Sequence, residues 1–121
     1  MLRILIVEDE PIIAFDLAQV VEHKTGADVH IASSIAVALR MLEKIDFVFL
    51  DMNVVDGKTF DLARELTALG IPYAFTSASR RCELPSDLQG ERFLSKPCTD
   101  GEIELALAAC VVIEANRPQH A

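Results

Sequence analysis

The sequence predicts an α/β protein built as a doubly wound sheet of five parallel strands. Two observations carry that prediction. Short apolar runs bounded by turn or charge signals recur five times, and segments with helically spaced apolar residues separate them. Strands joined through helical connections pair in parallel, and crossovers on both sides cover both faces of the sheet. Function in such a sheet gathers beyond the carboxyl ends of the strands, at a switch in strand order. The run Phe47-Val48-Phe49-Leu50 ends in Asp51, so a buried strand delivers a carboxylate to that edge. A carboxylate there is costly unless something pairs with it.

Residues 3–7 form the first strand, apolar on both faces, and it runs into Glu8-Asp9-Glu10-Pro11. Pro11 suits a first helical turn and acids suit a helix N-terminus. Residues 11–24 are expected to be helical, with Ile13, Leu17, Val20 and Val21 inward and Gly26 closing the helix. Residues 27–32 are a weaker second strand. Ser33 or Ser34 caps the next helix, where Ile35, Leu39 and Leu42 share a face, fading by Lys44. After the third strand, Gly57-Lys58-Thr59 opens a helix with Leu62, Leu66 and Leu69 aligned, ended by Gly70. Residues 72–77 form a fourth strand with Pro72 at its start, where a missing N–H does little harm. Residues 78–90 read as a short, imperfect helix with Leu84 and Leu88 buried and Arg80 and Arg81 on a solvated face. Residues 92–95 are a brief fifth strand. Thr99 or Asp100 caps a last helix to about Ala115, with Ile103, Leu107, Cys110 and Val111 inward, and 116–121 is a frayed tail.

The 121 residues are expected to be one domain, 1–121, about half apolar and able to bury a full core. Eleven basic against nineteen acidic side chains give a net charge of −8, which argues against nucleic acid or an anionic membrane as a direct partner. No apolar stretch approaches the roughly 20 residues of a membrane span, and the apolar start is too short for a signal peptide. Cys82, Cys98 and Cys110 have no metal-type spacing and read as reduced thiols in a cytoplasm.

The strand ends bring the chemistry. The first offers Glu8 and Asp9, the third Asp51, the fourth Ser77 followed by small Ala78, and the fifth Lys96 before Pro97. Three neighbouring carboxylates repel unless a cation neutralises them. Mg²⁺ takes oxygen ligands, with Asp51 direct, Glu8 and Asp9 as outer acids and the Asn53 backbone carbonyl as a further oxygen. Asp51 can then attack phosphorus and hold an acyl phosphate. Lys96 is suited to ion-pair a phosphate oxygen, and the Ser77 hydroxyl to donate to another. Pro97 is a candidate for a cis bond that aims Lys96.

Ile6-Val7-Glu8-Asp9, Phe49-Leu50-Asp51, Phe75-Thr76-Ser77-Ala78 and Leu94-Ser95-Lys96-Pro97 together resemble the receiver domains of two-component response regulators, over essentially the whole chain. The resemblance implies a flavodoxin-like receiver fold with strand order 2-1-3-4-5. It implies Asp51 as phospho-acceptor, Glu8 and Asp9 as metal acids, Ser77 as switch hydroxyl and Lys96 as phosphate-binding lysine. Phe93 matches the aromatic that changes rotamer with the hydroxyl. A histidine kinase or a histidine phosphotransfer protein is the implied donor, and a protein is the implied target. There are departures: Glu8-Asp9 stands for a pair of aspartates, Ser77 for the more usual Thr, and 79–90 suits the family's fourth helix poorly.

The expectation is a stand-alone receiver that catalyses only its own phosphorylation and dephosphorylation. The alternative enzyme is a phosphohydrolase of the haloacid-dehalogenase type. It needs an aspartate general acid where this chain has Asn53, and a cap domain. A phosphorylation-independent binding module on the same fold is the third reading, disfavoured by intact Glu8, Asp9, Asp51 and Lys96.

Overall fold

The computed structural model describes residues 2–115, with side chains for 2–108. Five strands form one parallel sheet: β1 (Arg3–Val7), β2 (Asp28–Ala32), β3 (Phe47–Asp51), β4 (Tyr73–Ser77) and β5 (Arg92–Ser95). Their order across the sheet is β2-β1-β3-β4-β5, the predicted one. Four helices accompany them: α1 (Pro11–Thr25), α2 (Ile35–Arg40), α3 (Phe60–Ala68) and α4 (Asp100–Ala115). A two-residue antiparallel ladder, Asn53–Val54 with Gly57–Lys58, bridges β3 and α3.

Period 2 along the strands splits the core into two layers. Leu5, Val7, Val48, Leu50, Tyr73 and Phe75 pack on one face with α2 and α3. Ile4, Ile6, Phe47, Phe49, Ala74 and Leu94 pack on the other with α1 and α4. Every residue of β3 and β4 is buried, as a sheet covered on both sides requires.

The helix ends follow their residues. Gly26 and Gly70 take left-handed φ of 68° and 74°, a region a side chain disfavours, and so terminate α1 and α3. Ser34, not Ser33, caps α2 by accepting from the Val37 amide at 3.1 Å. Thr99 and Glu102 close α4 with a capping box, Oγ1 accepting from the Glu102 amide and Oε1 accepting from the Thr99 amide, both at 3.1 Å.

Several elements differ from expectation. Leu39 and Leu69 are 50% and 54% exposed. With α2 only six residues long, Ala38 rather than Leu39 faces the core, and Leu69 lies at the end of α3 beyond the stripe of Leu62, Ala63 and Leu66. Helix α3 starts at Phe60, because Gly57 and Lys58 pair back with Val54 and Asn53. The helix expected over 78–90 is instead two 3₁₀ turns, Arg81–Glu83 and Ser86–Leu88. Pro85 is the physical reason. It has no N–H to give a helix, and it holds Leu84 extended at φ −72°, ψ 146°. Leu84 and Leu88 are buried as expected. Cys110, Val111 and the tail expected over 116–121 lie outside the described side chains and residues.

Side chains replace helical bonds in this segment. Arg81 Nη1 donates to the carbonyls of Gln89 and Glu91, each at 2.8 Å, while its guanidinium lies 5.3 Å above the Phe93 ring. Gln89 Nε2 donates back to the carbonyls of Arg81 at 3.0 Å and Leu84 at 2.6 Å. Removing the amide with Gln89→Ala is expected to lower stability by about 1–2 kcal/mol in chemical denaturation. Amide exchange should rise selectively over 79–90. Unchanged exchange there would show that Gln89 does not hold the segment.

Candidate functional site

The site is assembled by strand register. Val7 of β1 pairs with Leu50 of β3, so the next residues, Glu8 and Asp51, leave the sheet side by side. Asp51 pairs with Thr76 of β4, and Ser77 with Ser95 of β5, which brings Lys96 to the same edge. The Lys96 amide donates to the Ser77 carbonyl at 2.9 Å, and the Lys96–Pro97 peptide is cis, as anticipated.

Glu8, Asp9 and Asp51 each offer a carboxylate oxygen, and these oxygens lie within 4.8 Å of one another. Glu8 and Asp51 are buried and Asp9 half-buried. Lys96 Nζ hydrogen-bonds Glu8 Oε1 and reaches Asp51 Oδ2 at 3.3 Å. Burial pushes the Asp51 carboxyl up, the Glu8 charge adds to this, and Lys96 offsets only part, leaving it at about 6. Burial works against the Lys96 charge, but its bond to Glu8 and the two carboxylate charges outweigh that and hold it above the usual lysine range.

The donor set fits a hard divalent cation. It is all oxygen, and its three carboxylates face one ammonium, so negative charge remains when all are ionised. The loop behind Asp51 is anchored twice. Asp56 accepts from the Ile35 and Ala36 amides at 2.8 and 3.1 Å, tying the loop to the start of α2. Those bonds hold the Asp56 carboxyl below its ordinary range. Thr59 Oγ1 donates to the Asp51 carbonyl at 2.6 Å.

The structure brings Glu8, Asp9, Asp51 and Lys96 together, places Ser77 at the same edge through its backbone bond with Lys96, and sets Phe93 on the α2–α3 face. The Ser77 hydroxyl is buried and accepts from the Ser79 amide at 3.0 Å. Phe93 pairs with Phe75 and lies half-buried on the α2–α3 face, beneath Arg81. Asn53 occupies the ladder after Asp51. Sequence reasoning missed Thr59, Asp56 and Arg81. Thr59 stood only as part of the expected helix start at 57–59, with no role of its own. Arg81 looked like solvated charge, and it is exposed; its bonds are to carbonyls 8 and 10 residues away.

Comparison with known proteins places the chain. The family model of the response regulator receiver domain matches residues 4–108. The chain is 33% identical over 108 residues to the sensory transduction protein LytT of Enterococcus faecalis, covering 84% of this chain and 45% of that protein. It is 34% identical over 111 residues to the transcriptional regulatory protein YbdJ of Bacillus subtilis, covering 87% and 48%. It therefore spans about half the length of these curated relatives. The solution structure of SdrG from Sphingomonas melonis Fr1 superposes with a TM-score of 0.78 at 34% identity, covering 92% of this chain and 97% of that one. The BeF3-activated conformation of SdrG gives 0.75 at 32%, covering 90% and 95%. The chain belongs to the response regulator receiver family. It is a phospho-accepting receiver domain of the two-component type, and neither the phosphohydrolase nor the phosphorylation-independent module. No helix among the described residues is long and apolar enough to cross a membrane.

The Asp51 shift sets a pH dependence. Its carboxyl sits higher in the folded chain than in the unfolded one, so the fold is favoured below about pH 4 and penalised as pH rises through about 6. In chelator-treated buffer, Asp51→Asn should therefore melt several degrees above wild type at pH 7, a gain of roughly 1–2 kcal/mol. The gap should close towards pH 4. Equal melting temperatures at pH 7 would show that the acids do not strain the fold.

Proposed function

We propose that Asp51 takes a phosphoryl group from a phosphohistidine on a histidine kinase or a histidine phosphotransfer protein, and that Mg²⁺ is required. The observation that carries this reading is the meeting of Glu8, Asp9, Asp51 and Lys96 at one sheet edge. Glu8, Asp9, Asp51 and the Asn53 backbone carbonyl would hold the ion. Bound there, Mg²⁺ supplies charge for the transferring phosphoryl oxygens.

The chain's own residues do the rest. An Asp51 carboxylate oxygen attacks phosphorus in line with the leaving imidazole. The P–N bond breaks, its electron pair stays on nitrogen, and the imidazole takes a proton from water. An acyl phosphate remains on Asp51. The attack requires the ionised carboxylate, which the Lys96 charge beside it favours. Lys96 exchanges its carboxylate partners for a phosphoryl oxygen, and the Ser77 hydroxyl leaves the Ser79 amide to donate to another. Ser77 and Phe93 lie on the face that carries 79–90, so this movement supports a switch by which the phosphorylated chain alters contact with a protein target in the cytoplasm. The only catalysis proposed is of its own phosphorylation and dephosphorylation.

Phosphotransfer profiling against histidine kinases of the source organism tests the reading. Label should pass to the wild type with Mg²⁺, and neither to Asp51→Asn nor in the presence of a chelator. Lys96→Met should slow transfer about 100-fold while keeping the fold. Equal labelling of wild type and Asp51→Asn would refute Asp51 as the acceptor.

A further inference from the structure

Three threonines or serines stand directly before helices, and one behaves unlike the others. The Ser34 and Thr99 hydroxyls accept from amides of their own first turns. Thr59 occupies the same position before α3 but makes no side-chain cap bond. A hydroxyl there ordinarily satisfies a free helix amide. Thr59 instead turns its hydroxyl backwards, to the strand that carries Asp51. Oγ1 lies 2.6 Å from the Asp51 carbonyl oxygen and 3.3 Å from that of Met52, while the Thr59 amide donates to the Met52 carbonyl at 3.0 Å. The side chain is fully buried, so water does not compete for these carbonyls.

The ladder beyond gives this contact a purpose. The bond from the Thr59 amide to the Met52 carbonyl flanks the Asn53–Lys58 pair and makes it a non-hydrogen-bonded pair of the antiparallel ladder. The groups of such a residue point away from the partner strand. The Asn53 carbonyl is thus outside the ladder's own bonds, and its direction depends on the two peptide planes before it. Thr59 grips the carbonyls of both.

We propose that Thr59 is a positioning residue of the metal site, its buried hydroxyl fixing the Asp51 and Met52 carbonyls and through them the Asn53 carbonyl that completes the oxygen set. The inference rests on the functional reading above and deepens it. Residues that orient ligands without touching the ion commonly govern metal affinity. Thr59 acts on the loop backbone, while Lys96 acts on the carboxylates.

The test compares Thr59→Val, which keeps the shape and loses the donor, with Thr59→Ser, which keeps the donor. Mg²⁺ affinity is measured by calorimetry on the folded proteins, and phosphorylation by acetyl phosphate is followed across Mg²⁺ concentrations. Thr59→Val should weaken Mg²⁺ binding about tenfold. Its phosphorylation rate should recover at saturating Mg²⁺, and Thr59→Ser should stay within about twofold of wild type. A Thr59→Val protein that loses stability but binds Mg²⁺ as wild type does would overturn the proposal. Should Thr59→Val not fold, Thr59→Cys, of similar size and with a weak donor, is read in its place: several-fold weaker binding supports the role and unchanged binding refutes it. A wild type that binds no Mg²⁺ would instead sink the functional reading, so the two failures are distinguishable.

Discussion

One ammonium group holds the carboxyl edge of this sheet together. Lys96 sits between Glu8 and Asp51, two buried carboxylates brought side by side because β1 and β3 are direct neighbours. Unit charges 4 Å apart interact by about 4 kcal/mol at an effective dielectric near 20. One lysine therefore offsets much, though not all, of the repulsion among three acids. The raised Asp51 carboxyl is the mark of what remains. The imbalance restricts what can enter. A bare phosphoryl group adds negative charge to a site that already has a surplus, so it must arrive with a cation or after one.

The two faces of the sheet divide the labour. Glu8, Asp51, Thr76 and Lys96 continue the parity of the strands' α1–α4 face, with Ile6, Phe49, Ala74 and Leu94 below them. Ser77 and Phe93 share the parity of Phe75, on the α2–α3 face. Adjacent residues of β4 therefore look into different worlds, Thr76 towards α1 and Ser77 towards the 79–90 segment. The Ser77 hydroxyl is bonded to the Ser79 amide at the start of that segment. That bond joins the carboxyl edge to the face where Arg81 covers Phe93.

The strands were legible because a sheet covered on both sides demands short, continuous apolar runs, and β1, β3 and β4 have them. The site was legible for the same reason: a polar residue that ends such a run has only one edge to occupy. Helix faces were harder. Spacing alone put Leu39 inward, but a six-residue helix buries little more than one side chain, and Ala38 takes that place. The 78–90 stretch read as a short, imperfect helix, yet what replaces it depends on Arg81 and Gln89 bonding to carbonyls several residues away. Thr59 was read only as part of a helix start, and its contact with a carbonyl eight residues back leaves no mark in local spacing. Local patterns fix elements, while bonds that cross between elements leave little trace in spacing.

Those cross-element bonds also set where the molecule is stiff. The loop after Asp51 is tied at the Asp56 carboxylate to the amides of α2, and at Thr59 to the β3 backbone by a fully buried hydroxyl. The 79–90 segment carries two buried anchors, Leu84 and Leu88, and otherwise depends on exposed bonds: short backbone turns, the Asp87–Arg64 ion pair to α3, side-chain bonds to carbonyls and one cation–π contact. Segments with few buried contacts open at lower free energy than the core around them. A receiver needs that difference. Chemistry at Asp51 gains from donors that are already in place. A response surface must instead lie close in energy to a second arrangement, so that a few hydrogen bonds at one hydroxyl can shift the balance. In this chain the stiff loop and the lightly held segment both begin at the carboxyl edge of the sheet, a strand apart.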